Sequence, residues 1–225
     1  MGATVAVVTT VTTPYLALAR PQWRGRLHTW AFFAALPAGI LLIVSASGAA
    51  GVVGASIYAA TLLLLFGTSA SYHRLAQSER ARTIMQRLDH SMIYLLIAGT
   101  YVPLCLVALP AAWGVPMLVI VGALAAVGVA LKLLFFHSAR YVSYSLYIVM
   151  GWVAIAATPV LIQNLTGLQF GLIVAGGVAY TVGFPVLVTR RPDPWPMTFG
   201  YHEVWHLLTV VAASLHFAAV AGVLA

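Results

Sequence analysis

The chain has 225 residues, of which 62% are apolar and only 7% are charged, and its mean hydropathy is +1.00. A soluble domain could not bury this much apolar surface, so the composition excludes soluble folds and indicates an integral membrane protein. The apolar runs are long and continuous rather than alternating over roughly ten residues, which favours membrane helices over a β-barrel.

Seven apolar runs follow one another, each near the roughly 20 residues that a helix needs to cross a bilayer. They are residues 29–47, 51–73, 90–109, 113–132, 143–158, 168–187 and 203–223. The fifth run ends at Pro159. The sequence therefore predicts an all-α fold, a seven-transmembrane helix bundle, with a membrane domain at residues 29–225. Residues 1–28 lack the features of a signal peptide and are expected to form a cytoplasmic N-terminal arm.

The positive charges provide an independent test of this helix count. If seven helices alternate sides, all eleven lysines and arginines fall on one face: Arg20, Arg24, Arg26, Arg74, Arg80, Arg82, Arg87, Lys132, Arg140, Arg190 and Arg191. By the positive-inside rule the N-terminus is then cytoplasmic and the C-terminus outside, in the plasma (inner) membrane. The net charge of +7 follows from this topology and from anionic lipid, so no nucleic acid is expected as a partner.

Five polar residues lie at the inner ends of the predicted spans, where ionisable groups are unfavourable unless they have partners. Ser69 and His73 end the second span, Asp89 begins the third, and His202 and His206 begin the seventh. The two i, i+4 pairs each point along one helix face. We therefore expect three imidazoles and a carboxylate to converge just inside the cytoplasmic boundary.

This group of residues suits zinc chemistry. Three neutral histidines bind Zn²⁺ at about 2.0–2.1 Å and leave a fourth tetrahedral position open, as in catalytic sites. The predicted ligands are His73, His202 and His206. Asp89 would orient a water molecule and take its proton, and Ser69 would donate a hydrogen bond to a carbonyl oxygen. Alternatively, Asp89 is only an N-terminal charge on its helix, and Ser69 is a helix contact.

The remaining histidines are assigned other roles. His28, His90 and His137 lie on the same side but have no i, i+4 partner, so they are expected to be solvated or structural. His216 lies roughly 15 Å beyond His206 along a helix, too far to bind the same ion. It could hydrogen-bond within the bundle or line a polar path.

Residues 202–206 read HEVWH and match the H-E-x-x-H of soluble zinc proteases. The rest of that pattern is missing, because Ala212 stands where metzincins carry a third histidine and no Asp or Glu follows Glu203. Glu203 is expected to hold a hydrogen bond beside the metal rather than to act as a general base.

Several segments together resemble the hemolysin III family, bacterial relatives of the progestin and adipoQ receptors, which include the adiponectin receptors. They are Ser69-x3-His73, RLDHSMIYLLIAGTYVPL at 87–104, HEVWHLLTVVAASLHF at 202–217, Arg24-Gly25-x2-His28, and GGVAYTVGFPV at 176–186. The resemblance implies seven helices with a cytoplasmic N-terminus. It also implies a zinc ion held by His73, His202 and His206, with Asp89 contacting it through water and Ser69 nearby.

The resemblance implies more than one function. The adiponectin receptors and the more distant alkaline ceramidases imply lipid amide hydrolysis, and bacterial members are associated with membrane lipid state and energetics. We expect a zinc-dependent hydrolase of lipid amides or esters, or a membrane-homeostasis sensor, with membrane lipids as partners. One alternative is a pore-forming cytolysin, which the hemolysin name implies and which the missing export signal argues against. The other is a noncatalytic receptor with structural zinc.

Overall fold

The computed structural model describes residues 21–225 as seven long helices connected by short segments. They are α1 (Arg26–Ser45), α2 (Gly48–Leu75), α3 (Glu79–Ala108), α4 (Ala111–Leu134), α5 (Arg140–Asn164), α6 (Gly167–Thr189) and α7 (Tyr201–Leu224). Each helix is long and apolar enough to cross a membrane, and the described residues contain no strand beyond one isolated bridge between Trp195 and Phe199. The predicted all-α seven-helix bundle is confirmed.

The third helix begins earlier than its apolar run. It starts at Glu79, where the Ser78 hydroxyl accepts a hydrogen bond from the Ala81 N–H at 3.1 Å and caps the helix. An apolar run marks only the part of a helix that lies in hydrocarbon, so a prediction from apolar length places the start of the helix too late when its first turns are polar. Asp89 consequently lies ten residues after the start of α3, and its interpretation as an N-terminal helix charge is wrong.

The fifth helix continues six residues beyond its predicted end at residue 158. It narrows to a 3₁₀ stretch at Val153–Ala157 and resumes as an α-helix at Thr158–Asn164. Pro159 lies in the first turn of the resumed segment, where its missing N–H breaks no helical hydrogen bond. The Tyr101 hydroxyl donates to the Met150 carbonyl at 2.9 Å and accepts from the Ala154 N–H at 3.0 Å. The fifth helix therefore continues past Pro159, and its 3₁₀ stretch is tied to α3 through Tyr101.

Two apolar clusters fill the interior of the bundle. One joins α1, α2, α3 and α7 around Tyr58 and Leu62, and the other joins α3 to α6 around Tyr94 and Met150. Large apolar side chains also cover much of the outer surface, as expected where lipid rather than water surrounds the protein. Because α3 contributes to both clusters, it lies at the centre of the bundle and carries Asp89 with it.

The described lysines and arginines gather at one end of the bundle, which we call the basic end. They lie at or near the starts of α1, α3 and α5 and the ends of α2, α4 and α6, as the charge pattern predicts. Lys132 also lies at this end, but it is buried in the last turn of α4 with its Nζ 4.7 Å from the Tyr144 ring centre.

The predicted N-terminal arm and the predicted orientation in the membrane both stay predictions. Residues 1–20 of the arm, which include Arg20, lie outside the described residues. Which face of the membrane the basic end occupies, and therefore the division into a cytoplasmic arm and a membrane domain, also stays a prediction.

Candidate metal centre

Three histidines from two helices meet at the basic end. His73 lies in the last turn of α2, and His202 and His206 lie one turn apart at the start of α7. One ring nitrogen from each lies within 4.8 Å of the others, and His73 Nε2 is 3.1 Å from His202 Nε2. The predicted convergence of these three imidazoles is confirmed.

The nitrogen spacing fits a tetrahedral metal ion. Two nitrogens bonded to zinc at about 2.0–2.1 Å in tetrahedral geometry lie about 3.3–3.4 Å apart. The 3.1 Å between the His73 and His202 nitrogens is close to that value, and all three nitrogens lie within 4.8 Å of one another. His73 and His206 are buried and His202 is partly buried. The cluster can therefore hold a metal ion with restricted access to solvent.

Asp89 and Ser69 lie beside the three histidines. Asp89 Oδ2 is 3.9 Å from His73 Nε2, and the carboxylate is not one of the three grouped ligands. The Ser69 hydroxyl, one turn before His73, is 1% exposed and lies next to Asp89 without a hydrogen bond of standard geometry. All five candidate residues are thus together, with the carboxylate placed to reach the metal position through a water molecule rather than directly.

Tyrosine hydroxyls hold α3 in position at this level. Tyr147 on α5 donates to the His90 carbonyl at 2.8 Å, and Tyr94 on α3 donates to the Ser143 carbonyl at 2.7 Å. Buried interhelical hydrogen bonds of this kind limit sliding of one helix past another. These bonds fix the register of α3, and with it Asp89, against α5, although α5 contributes no candidate site residue.

Glu203, the second residue of the H-E-x-x-H pattern, is fully engaged elsewhere. Its side chain is 1% exposed, and its Oε1 accepts a hydrogen bond from Arg24 Nε at 2.6 Å. Its Oε2 accepts the Gly200 N–H at 2.9 Å, which caps the start of α7. Glu203 therefore links the segment before α1 to the helix that carries His202 and His206. Both partners are outside the three candidate ligands, so the predicted hydrogen bond beside the metal stays a prediction. A carboxylate engaged on both oxygens in this way differs from the general base of the zinc proteases.

His28 is the residue of this region that the sequence interpretation missed. It is buried at 3% exposure, so the solvated interpretation is wrong for it. Its ring stacks on that of His206, with 3.8 Å between ring centres and 8° between ring planes. The signal that could have found it is Arg24-Gly25-x2-His28, one of the segments that carry the family resemblance, which places His28 in the first turn of α1.

The other histidines contribute no nitrogen to the three-histidine cluster. His90 Nδ1 is 2.9 Å from the Gln86 carbonyl oxygen and 3.9 Å from Asp89, and His137 is exposed between α4 and α5. His216 Nε2 is 3.1 Å from the Ile173 carbonyl oxygen on α6, so the expected hydrogen bond within the bundle is present.

The segment before α1 packs directly on the cluster. Gly25 has a left-handed backbone with φ of 77°, and a Cβ at this position would lie 2.7 Å from His73 Cβ. The backbone N–H groups of Gln22 and Trp23 each donate, at 3.1 Å, to carbonyls of the loop that precedes α7. We refer to residues 22–28 as the strap, since they tie the start of α1 to α2 and α7.

Sequence comparison identifies the family of this chain. Residues 16–217 match a family described as "Haemolysin-III related". A protein named Hemolysin-3 from Bacillus cereus is 36% identical over 185 residues, which cover 81% of each chain. This chain belongs to the hemolysin III family. A Hemolysin-3 homolog from Bacillus subtilis (strain 168) is 33% identical over 185 residues, 81% of this chain and 84% of that one. The predicted family resemblance is confirmed, and the matched range includes all five candidate residues.

In this hemolysin III protein the histidine cluster adjoins two cavities. A cavity of about 30 Å³ is lined by polar residues of the cluster, including His28, Ser69 and Asp89. An almost wholly apolar cavity of about 100 Å³ lies deeper in the bundle, between α3, α5, α6 and α7. Four residues line both: Leu65, Ile93, Trp205 and Thr209. A polar compartment at the histidines thus meets an apolar one that runs into the membrane interior.

Proposed function

We propose that this hemolysin III protein is a zinc-dependent hydrolase of lipid amides or esters in the plasma membrane. The observation that carries the proposal is a largely buried three-histidine cluster, beside a carboxylate and a serine, at the point where a polar cavity meets an apolar one. A lipid amide or ester has the same division, with a polar reacting group at the end of an apolar chain.

His73, His202 and His206 are the residues that would hold the metal. Three imidazoles leave one tetrahedral position open, which is the arrangement of catalytic rather than structural zinc sites. Bound there, zinc would supply the Lewis acidity that polarises a carbonyl and activates water. The identity of the metal is part of the proposal.

The protein's own side chains would handle the proton and the oxygen. Asp89, 3.9 Å from His73 Nε2, would accept a proton from the attacking water and deliver it to the leaving amine or alcohol. Ser69 Oγ would donate a hydrogen bond to the substrate carbonyl oxygen as negative charge develops on it. Both groups lie in a largely desolvated site, where such interactions are stronger than in water.

The apolar cavity would receive the acyl chain. A chain that moves there from the bilayer gains little hydrophobic free energy, because lipid tails are as apolar as the cavity wall. The cavity would therefore select substrates by shape and length, and the polar head group would supply the affinity.

The test is a hydrolysis assay on purified, zinc-loaded protein, with mass-spectrometric detection and a panel of ceramides, other acyl amides and acyl esters. The matched control is His206→Ala. Product that forms only with the intact cluster supports the proposal. If no substrate is cleaved by protein whose zinc content is verified, the enzyme interpretation is wrong, and a noncatalytic receptor or sensor with structural zinc takes its place.

Metal analysis tests the ligands separately. His73→Ala and His202→Ala are each expected to lose zinc, since two imidazoles hold it far less tightly than three. His137→Ala, which removes an exposed histidine, is the control and should retain it. Full zinc content in either ligand variant would refute the three-histidine site.

A pore is the second candidate function, because the names of both relatives refer to hemolysis. Dye release from liposomes that contain the purified protein tests it directly. Release that rises with protein loading would support a pore, and intact liposomes at high loading would exclude it.

A further inference from the structure

The polar cavity beside the histidine cluster contains most of the buried unpartnered polar atoms of the bundle. Four buried side-chain nitrogen and oxygen atoms among residues 21–225 have no hydrogen-bond partner of standard geometry. Three of them belong to residues that line this cavity: Nδ1 and Nε2 of His28, and Oγ of Ser69. Buried polar atoms without partners are unfavourable and rare in folded proteins, so their concentration in one cavity indicates a binding surface.

The ring of His28 is held firmly, and neither of its nitrogens makes a hydrogen bond of standard geometry, although the ring lies close to the His206 backbone. One face stacks on His206 at 3.8 Å between ring centres, and Phe66 packs against it at 5.2 Å with the ring planes tilted by 65°. Ring packing of this kind fixes orientation but satisfies neither nitrogen. His28 is therefore already oriented for a ligand, at no further loss of side-chain entropy on binding.

The strap fixes the backbone that carries His28. The Thr29 hydroxyl donates to the Gly25 carbonyl at 2.9 Å at the start of α1, and the Arg24–Glu203 ion pair ties the strap to α7. The ring therefore keeps its place against His206 through contacts with two other helices, and it is not free to swing out toward water.

We propose that His28 is a substrate-binding residue, which hydrogen-bonds a carbonyl or hydroxyl oxygen in the polar head of a lipid bound beside the metal. The proposal rests on the function proposed above and assigns this chain a fourth functional histidine that is not a metal ligand. A neutral imidazole offers one donor and one acceptor, and a lipid amide head group offers both complements. The three ring nitrogens that lie within 4.8 Å of one another belong to His73, His202 and His206, and none belongs to His28.

Direct binding is the test, and the probe is radiolabelled N-palmitoylethanolamine, whose head group carries an amide and a hydroxyl. Binding to zinc-loaded protein in detergent is measured at low temperature, and mass spectrometry verifies that the probe stays intact. The variants are His28→Phe, which keeps a ring against His206 without nitrogens, and His28→Gln, which restores a donor and an acceptor. The matched control is His137→Phe, at an exposed histidine.

We expect His28→Phe to keep its zinc and its melting temperature but to bind the probe about tenfold more weakly, the effect of one lost hydrogen bond. His28→Gln should recover part of the affinity, and His137→Phe should bind as the unaltered protein does. Unchanged affinity in His28→Phe would overturn the proposal, because stacking alone would then account for His28. Zinc loss in His28→Phe would also overturn it, since the ring would then be holding the metal.

The outcome separates this proposal from the proposed hydrolysis. If the unaltered protein binds the probe in a His28-dependent way but cleaves no lipid, the hydrolase proposal fails and the role of His28 stands as that of a ligand-binding residue. If the zinc-loaded protein binds no probe at all, the assignment of His28 to lipid head groups fails, whatever other substrate is later cleaved.

Discussion

Replacing Glu203 by alanine is expected to destabilise the protein by about 3 kcal/mol, because the side chain makes two separate interactions. Its hydrogen bond with the Arg24 guanidinium spans 2.6 Å and ties the strap to α7. A charged hydrogen bond of this kind contributes about 1.5–3 kcal/mol. Its other oxygen caps α7 through the Gly200 N–H, and loss of a helix cap costs about 1 kcal/mol.

The assay is thermal unfolding of the purified protein in detergent, followed by circular dichroism. For a chain of this size 1 kcal/mol corresponds to about 2–4 °C, so Glu203→Ala should lower Tm by about 6–12 °C. Glu79→Ala is the matched control, since Glu79 also lies in the first turn of a helix but is exposed. Its loss should remain below about 1 kcal/mol, the size of an exposed helix-dipole interaction. Equal effects of the two substitutions would refute the reasoning.

The isosteric variant Glu203→Gln separates structure from chemistry. Glutamine can still accept the Gly200 N–H but loses its charge, so the destabilisation should be smaller than in the alanine variant. We expect this variant to retain zinc and any hydrolytic activity. If zinc and Tm were preserved while hydrolysis disappeared, Glu203 would be the general base after all.

Three further predictions test the site and its surroundings. Asp89→Asn should retain zinc, since the carboxylate is not among the grouped ligands, but should lose hydrolysis; unchanged turnover would remove Asp89 from the mechanism. Gly25→Ala should lower both Tm and zinc affinity, because the new Cβ would collide with His73. Gly48→Ala is the control, since Gly48 also has a positive φ but faces open space, and it should lose only about 1–2 kcal/mol of stability through backbone strain. Gly177→Leu places a side chain in the apolar cavity and should shift hydrolysis toward shorter acyl chains. Gly171→Leu is the control, because Gly171 does not line that cavity, and it should leave the chain-length preference unchanged. The same chain-length profile in both variants would contradict the assignment of the cavity.

Much of the site was predictable from local sequence because its spacing follows from helix geometry. His202 and His206 share a helix face at any i, i+4 spacing, and Ser69 and His73 do the same. Their common depth follows from the ends of the apolar runs, which the bilayer thickness fixes. Asp89 was placed at the correct level even though its helix begins eleven residues earlier than the apolar run suggested.

The sequence by itself determined the number of helices and the end of the bundle at which the charges lie, because continuous apolar length and the periodicity of a helix are local properties. The tertiary structure alone decided which distant groups pair. Glu203 meets Arg24 across 179 positions of sequence, and His28 meets the face of His206. The burial of Lys132 among aromatic rings was also decided at this level. Such contacts depend on how helices pack side by side, and no local spacing encodes that.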